Sequence, residues 1–196
     1  MRIVALTGTV DKRMLVYPIA RAISIESNVC IVSDNGAYRR LFSERGNEGM
    51  LGRVKIVVDI YEDSLLPRLD EVGIGFDYLL VDSSFEVPTN SDYVIYCRGV
   101  NRSLYYDEEL KKMEDKPNIE VIISPEPPEE KGVLAVTVDE FICSYIMKIE
   151  ENKQLMRITN KRYNRLLTKI FSQALDMQES SLFELLSRKD GIASRK

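Results

Sequence analysis

The stretch that decides the fold is Arg2-Ile-Val-Ala-Leu-Thr-Gly-Thr-Val-Asp-Lys-Arg-Met-Leu15, at the start of a sequence of 196 residues. Its first half is an apolar run of strand length, and its second half opens a helical pattern. Gly8 and Lys12 lie in the turn between the two. A turn of this kind is where α/β proteins bind phosphate groups, through backbone N–H groups at the start of a helix. The stretch therefore predicts an α/β fold of the phosphate-binding type.

Most of the chemistry of a phosphate-binding loop is missing from this turn. Such a loop needs several glycines, a lysine that reaches the β- and γ-phosphates, and a Ser or Thr that holds Mg²⁺. Gly8 and Lys12 remain, whereas Asp11 replaces the glycine before the lysine and Arg13 replaces the hydroxyl residue. The carboxylate of Asp11 repels a triphosphate, and Arg13 offsets only part of that repulsion. We therefore expect no bound cofactor.

Composition excludes several classes of protein. The chain is 44% hydrophobic and 30% charged with a net charge of −4, which is typical of a globular domain and gives no argument for nucleic acid. It lacks histidine, which excludes Ser-His-Asp and Cys-His sites and argues against zinc. Cys30, Cys97 and Cys143 have no C-x-x-C spacing, so we expect buried, reduced thiols. With no signal peptide and no apolar run of about 20 residues, a cytoplasmic location is expected, extending to the inner face of the membrane.

Strand-length apolar runs alternate with helical patterns, which predicts an α/β fold with a mostly parallel sheet of about six or seven strands flanked by helices. The predicted strands are Arg2–Leu6, Val29–Ser33, Val54–Ile60, Tyr78–Asp82, Tyr93–Cys97, Ile119–Ile123 and Val133–Val136. The predicted helices between them are Arg13–Ile25, Ala37–Arg45, Ser64–Val72 and Tyr106–Lys112. Pro18 predicts that the first helix begins late, near Leu15, or is kinked, because an interior proline removes a hydrogen bond.

From Val138 onward the pattern is helical, with predicted helices Asp139–Glu151, Lys153–Leu175 and Ser181–Lys189. The first of these either runs on or breaks near Asn152. We therefore divide the chain into an α/β domain at 1–150, a helical C-terminal extension at 151–189 and a disordered tail at 190–196. The second of these helices carries a cation every four residues, and these cations are Lys153, Arg157, Lys161, Arg165 and Lys169. They are candidates for contact with DNA, anionic lipid or an acidic protein, and the alternative is a solvated outer face.

The order of these features resembles the MinD/ParA branch of P-loop ATPases, the deviant Walker A proteins. Their loop reads K-G-G-V-G-K-T-T, and the matching segment here is Thr7-Gly-Thr-Val-Asp-Lys-Arg-Met14. Phe76-Asp-Tyr-Leu-Leu-Val-Asp-Ser-Ser84 is a stronger match to the family's Y-D-Y-V-I-I-D-[ST]-P segment, and it places Asp82 at the Mg²⁺-binding aspartate. Ser91-Asp-Tyr-Val-Ile-Tyr-Cys97 is similar to the strand that follows. The family's D-x-D motif reads Ser33-Asp-Asn35 here, which replaces both carboxylates unless the register of the alignment slips by one residue.

The end of the chain has a further likeness to this family. Ser181–Lys189 is short and amphipathic, and it is similar to the helix with which MinD inserts into a lipid surface. Leu182, Phe183 and Leu186 are therefore candidate partner-binding residues. The alternative is that these three side chains dock on the domain itself or on another protomer.

The resemblance implies a P-loop NTPase-like domain over residues 1–150, and dimers that form face to face across nucleotides. Because several nucleotide-handling positions fail together, we predict a non-hydrolysing pseudo-ATPase with no catalytic residue and no metal. It would act through protein contacts, as a homodimer, in localisation, assembly or regulation. Two alternatives remain open. One is an ATP-gated switch in which Gly8, Lys12, Arg13 and Asp82 bind ATP with Mg²⁺, and the other is a DNA- or membrane-binding module built on the basic helix.

Overall fold

The fold is given by a computed structural model that describes residues 1–42, 46–58, 72, 74–84, 87–100, 117–129 and 132–189. The strands in these ranges are β1 (Arg2–Thr7), β2 (Val29–Ser33), β3 (Glu48–Leu51), β4 (Val54–Val58), β5 (Tyr78–Ser83), β6 (Tyr93–Arg98), β7 (Ile119–Ser124) and β8 (Leu134–Thr137). The α-helices are α1 (Arg13–Ile23), α2 (Glu140–Asn152), α3 (Lys161–Phe171) and α4 (Glu179–Ser187), with a 3₁₀-helix at Gly36–Leu41.

The strands form one eight-stranded sheet in the order β3-β4-β2-β5-β1-β6-β7-β8. All neighbours pair in parallel except β3 and β4, which form an antiparallel hairpin. The prediction of a mostly parallel α/β sheet is therefore confirmed. Strand β3 was not predicted, because its sequence Glu48-Gly-Met-Leu51 has neither an apolar run nor a clear alternation of apolar and polar residues. A two-residue turn makes the hairpin, with Gly52 at φ +63°.

The central strands are buried on both faces, which explains their unbroken Val, Ile and Leu runs. One face of the sheet contributes Val4, Leu6 and Leu80 to a large apolar cluster that also contains helical residues. The opposite face contributes Ile3 and Ala5 to a second, smaller cluster. Successive residues of β1 thus alternate between the two clusters, as the strand period of two requires.

Helix α1 lies at the centre of the larger cluster, and its residues from Met14 to Ile23 are all buried. It begins at Arg13 although Pro18 lies inside it, so the expectation of a start near Leu15 is wrong. Pro18 cannot donate the hydrogen bond that the carbonyl of Met14 would normally accept. The hydroxyl of Tyr163 in α3 donates to that carbonyl instead, at 3.0 Å. A tertiary contact therefore satisfies the group that the proline leaves unpaired.

The predicted single helix Lys153–Leu175 is wrong. Helix α2 ends at Asn152, and Lys153 takes a left-handed conformation with φ 50°. Leu155 and Ile158 are buried in the irregular segment that follows. Helix α3 then begins after Asn160, whose side chain accepts hydrogen bonds from the backbone N–H groups of Arg162 and Tyr163. An asparagine N-cap is a sequence signal for a helix start that the periodicity concealed.

The C-terminal helices are integrated into the domain. The side chain of Arg21 in α1 is buried and donates to the carbonyls of Leu185 and Arg188 at 3.1 and 2.7 Å. Arg157 donates to the carbonyl of Ser187 at 3.2 Å. Two arginines thus supply partners for carbonyls at the end of α4, where a helix lacks its own donors. The division at residue 150 stays a prediction, but helices on both sides of it share one core.

Several other predictions have clear outcomes. The segment predicted as a helix at Ala37–Arg45 is the 3₁₀-helix over its first part, and 43–45 lie outside the described residues. The predicted helices 64–72, apart from Val72, and 106–112 also lie outside them, as do 59–60 and the tail 190–196.

Cys30 and Cys97 are buried as expected, whereas Cys143 is exposed. In the part of the chain that is described, no helix has the length and apolar character needed to span a membrane.

Candidate functional site

The candidate site lies at the carboxyl ends of β1, β5 and β6. The turn of residues 8–12 connects β1 to α1, and β5 places Asp82 beside it because Leu6 pairs with Asp82 in the sheet. Loops at the carboxyl edge of a parallel sheet are the usual place for ligands in α/β folds. The structure therefore places Gly8, Lys12, Arg13 and Asp82 at this edge of the sheet, and their role in binding a nucleotide stays a prediction.

Gly8 has a structural reason to be glycine. Its φ is +114°, and a Cβ added there would lie 2.0 Å from the backbone oxygen of Cys97 in β6. A side chain at this position is therefore excluded both by conformation and by the neighbouring strand. Packing against β6 therefore explains the glycine at this position, whether or not a phosphate binds.

Lys12 is directed into the protein. Its ammonium donates to the carbonyl oxygens of Gly8 and Val10 at 2.5 and 3.1 Å, and it lies 2.9 Å from Oδ1 of Asp82. Its side chain is only 2% exposed and that of Asp82 only 1%. The lysine that would reach a phosphate thus forms a buried ion pair with the carboxylate that would bind Mg²⁺.

Asp82 has a second partner in Tyr38, whose hydroxyl donates to Oδ2 at 2.7 Å. Burial raises the pKa of Asp82, and the charge of Lys12 and the hydrogen bond from Tyr38 oppose that rise. Burial also raises the pKa of Tyr38 far above its usual range, so this hydroxyl stays a donor. The ring of Tyr38 packs edge-to-face on Tyr17 of α1, with ring centres 5.5 Å apart, which fixes its position.

Asp11 and Arg13, two charged residues of the turn between β1 and α1, bind each other. The carboxylate of Asp11 accepts from the backbone N–H of Arg13 at 3.0 Å and from Nη2 of Arg13 at 2.6 Å. Burial alone would raise the pKa of Asp11, but the hydrogen bonds and charge of Arg13 outweigh it and hold that pKa below its ordinary value. Arg13 also forms an ion pair with Glu150 near the end of α2, and Arg40 lies 3.4 Å from the other Glu150 oxygen. The ion pair between Arg13 and Glu150 therefore connects the loop to α2.

Asp34, which lies between the two positions aligned with the D-x-D motif, accepts hydrogen bonds from the end of β5 and the loop after it. It accepts from the backbone N–H of Ser84 at 2.6 Å and from the hydroxyls of Ser83 and Ser84 at 3.3 and 3.2 Å. This carboxylate therefore fixes the turn that follows Asp82. Within the described ranges, no group of three or more Asp, Glu, Cys or His residues is placed to hold a metal ion.

The predicted basic stripe is divided between two elements. Lys161, Arg165 and Lys169 lie on the exposed face of α3, with the exposed Arg162 beside them. Lys153 is the C-cap residue that follows α2, and the guanidinium of Arg157 donates to the carbonyl of Ser187 at the end of α4. Three of the five predicted cations thus share one helix face, and the other two do not belong to it.

The predicted C-terminal contact residues lie mostly inside the domain. Leu182 is 0% exposed and Leu186 is 2% exposed, and both belong to the large apolar cluster with α1. Phe183 is half-buried. In this structure two of these side chains dock on their own domain, which was the alternative to insertion into a lipid surface.

Two partners of the charged residues in the site were not predicted from the sequence. They are Tyr38, which donates to Asp82, and Glu150, which pairs with Arg13. Tyr38 comes from the 3₁₀-helix after β2 and Glu150 from α2, so both are far from the loop in sequence. A tyrosine and a glutamate without a motif carry no sequence signal for such a contact. Only the fold brings them to the loop.

No protein-family model matches the sequence, and no curated protein matches it either. Solved structures do. The MinD cell division protein of Aquifex aeolicus has a TM-score of 0.53 at 9% identity, covering 97% of this chain and 99% of that chain. A protein described as a plasmid partition protein of Borrelia burgdorferi, bound to AMPPNP, has a TM-score of 0.50 at 10% identity, covering 94% of this chain and 97% of that chain. The chain therefore has the MinD/ParA-like P-loop NTPase fold, as predicted, and at these identities the likeness shows the fold alone.

Proposed function

We propose that this chain is a non-hydrolysing pseudo-ATPase of MinD/ParA-like fold that acts through protein contacts in localisation, assembly or regulation. The observation that carries the proposal is the buried ion pair of Lys12 with Asp82. In it the two groups that would bind a triphosphate and a metal neutralise each other.

Binding of ATP would require this ion pair to be exchanged for new contacts. Lys12 would leave Asp82 and the carbonyls of Gly8 and Val10 to reach a phosphate. Asp82, which is 1% exposed, would then keep Tyr38 and need a divalent cation in place of the lysine. A buried charge deprived of its partner costs about 3–5 kcal/mol, so the exchange is favourable only if metal and phosphate both bind well.

The loop offers poor ligands for both groups. The carboxylate of Asp11 would face the triphosphate, and like charges 4 Å apart repel by about 4 kcal/mol at an effective dielectric constant of 20. The backbone N–H of Arg13, in the first turn of α1, already donates to Asp11. The guanidinium of Arg13 binds Asp11 and Glu150, and a cation cannot coordinate Mg²⁺. The residues present therefore do not fit Mg²⁺ and ATP in this arrangement.

Calorimetric titration of the purified full-length chain with ATP and Mg²⁺ tests the proposal. We expect no binding up to millimolar ATP and no rise in the unfolding midpoint, since a ligand at 100 times its Kd would stabilise the protein by about 2.7 kcal/mol. Micromolar affinity for ATP would overturn the pseudo-ATPase and favour the ATP-gated switch. A crystal soaked with ATP and Mg²⁺ would then show whether Lys12 has left Asp82.

The localisation role is supported by the fold that the chain shares with division and partition proteins. A fluorescent fusion expressed at native level in its own cells should occupy a defined position, in the cytoplasm or at the inner face of the membrane. Uniform fluorescence that persists through the cell cycle would contradict this part of the proposal.

One observation favours a second candidate function, which is binding to a polyanion such as DNA or an anionic membrane. On α3 the exposed cations Lys161, Arg162, Arg165 and Lys169 form no ion pair with a described residue. Such a face attracts phosphates with an affinity that falls steeply with salt. The triple variant Lys161→Gln, Arg165→Gln, Lys169→Gln should lose salt-sensitive binding to duplex DNA or phosphatidylserine vesicles. If the unmodified chain binds neither probe at low salt, this candidate fails.

A further inference from the structure

The outer face of α2 is exposed and partly apolar. The exposed residues of α2 are Glu140, Phe141, Cys143, Ser144, Met147, Lys148, Glu151 and Asn152. Phe141 is 38% exposed and Met147 is 59% exposed, which is high for large apolar side chains that lie one or two turns apart on one helix. The opposite side of α2, with Ile142, Ile146 and Ile149, is buried in the domain.

A groove of about 380 Å³ runs beside this face. One wall is α2 itself, with Phe141, Ser144 and Lys148, and the other is the segment after α2, with Met156 and Thr159. Tyr145 fixes the second wall, because its hydroxyl donates to the carbonyl of Met156 at 2.8 Å. A groove between two fixed walls, with apolar residues in each, is suited to receive side chains of a helix that lies along α2.

The charged residues of this face are complementary to those of the same face on a second copy of the chain. Glu140 is four residues before Ser144 and Lys148 is four residues after it, while Phe141 and Met147 are three residues to either side. In an antiparallel pair of α2 helices related by a two-fold axis beside Ser144, Glu140 lies level with the partner's Lys148. In the same pair Phe141 lies level with the partner's Met147. The small side chain of Ser144 at the axis allows the helices to approach to the 8–10 Å that is usual for packed helices.

From this pattern we infer that α2 is the surface on which a second copy of this chain docks, in an antiparallel two-fold dimer. The inference deepens the proposed function and rests on it, since this dimer needs no nucleotide between its subunits. An isologous interface uses every contact twice, so the Glu140–Lys148 match supplies two ion pairs and the apolar match two further contacts. Neither Glu140 nor Lys148 forms an ion pair with a described residue of its own chain, so both are available to a partner.

Charge reversal at these two positions tests the inference. In sedimentation velocity of the full-length chain at micromolar concentrations without nucleotide, we expect a reversible dimer. Glu140→Lys and Lys148→Glu should each raise the dimer dissociation constant by roughly tenfold or more, because each places like charges together twice. The double variant should restore the dissociation constant to within about threefold of the original, since the pairs re-form with reversed sign. Glu184→Lys, on the exposed face of α4, is the matched control and should change nothing.

Three outcomes would overturn the inference. They are a monomer at every concentration, a dimer that neither single reversal weakens, and a double variant that dimerises no better than the singles. Repeating the runs with ATP and Mg²⁺ separates this inference from the proposed function. A monomer that binds no ATP refutes the dimer alone, whereas a dimer that forms only with ATP and Mg²⁺ refutes both.

Discussion

The buried ion pair of Lys12 with Asp82 predicts that these two residues stabilise the fold together. The test is a double-mutant cycle of Lys12→Met, Asp82→Leu and the double variant, with unfolding followed in urea. Each substitution replaces a charged side chain with an apolar one and avoids a large cavity. A lysine reserved for a phosphate would be dispensable for folding, so this cycle distinguishes a structural lysine from a ligand-binding one.

The expected loss in the free energy of unfolding follows from the burial of both side chains. Lys12 is 2% exposed and Asp82 is 1% exposed, so either single variant leaves an uncompensated charge inside the protein. Loss of one partner from a buried pair costs about 3–5 kcal/mol, whereas replacing both partners with apolar residues is often neutral. We therefore expect each single variant to lower the free energy of unfolding by about 3 kcal/mol or more. The double variant should lie within about 2 kcal/mol of the unmodified chain. Lys169→Met, on the exposed face of α3, should change it by less than about 0.5 kcal/mol.

The pH dependence of Lys12→Met provides a second readout. Burial raises the pKa of Asp82 above its ordinary value of 3.8 even with Lys12 present, and removal of the lysine should raise it further. A carboxyl with a raised pKa in the folded state penalises folding as pH rises through that pKa. Lys12→Met should therefore lose stability relative to the unmodified chain between pH 4 and neutrality. Equal stability of the two at pH 7, or a double variant as unstable as the sum of the singles, would refute the reasoning.

Three other substitutions probe the loop. Gly8→Ala should destabilise the protein by several kcal/mol with or without ATP, measured by urea unfolding, because the new Cβ would lie 2.0 Å from the oxygen of Cys97; a change of under about 1 kcal/mol would contradict this. Asp11→Asn should be less stable than the unmodified chain at pH 7, and acid titration followed by circular dichroism should show the difference closing below about pH 4. The reason is that Arg13 holds the pKa of Asp11 below 3.8, and stability from such a group is lost as pH falls through the lowered pKa. Arg13→Thr introduces the residue that the deviant Walker A loop has at this position but should cost about 1–3 kcal/mol through the lost contact with Glu150, and calorimetry should find no gain in ATP binding.

The sheet could be predicted because its strands carry the signal of their own burial. Runs such as Val-Cys-Ile-Val in β2 and Leu-Leu-Val in β5 are apolar at every position, which only a strand covered on both faces requires. The hairpin strand β3 carries no such signal, since Glu48 and Met50 are exposed at the edge of the sheet. A break near Asn152 was predicted, and the helix ends there, but the irregular segment 153–160 before α3 was not predicted. Lys153 takes a left-handed conformation that sequence rules assign to glycine or asparagine.

The candidate site could be located from the sequence but its contacts could not be predicted. Alignment with the family motifs places Lys12 and Asp82 at the same edge of the sheet, and the structure brings them together. The motifs assign both residues to a ligand, so they give no reason to expect that the two bind each other. Tyr38 and Glu150 come from elements after β2 and β8, and their positions depend on the packing of those elements.

The charged residues of the first βα turn, Asp11 and Arg13, form a consistent set with Glu150 of α2. Asp11 alone would introduce a carboxylate at a helix start, and Arg13 alone would introduce a partly buried cation. Together they neutralise each other, and Arg13 extends the pairing to Glu150 in α2. Asp11 and Arg13 thus connect the first βα turn to the helix whose outer face we assign to a second copy, and their ion pairs help to hold that helix on the turn.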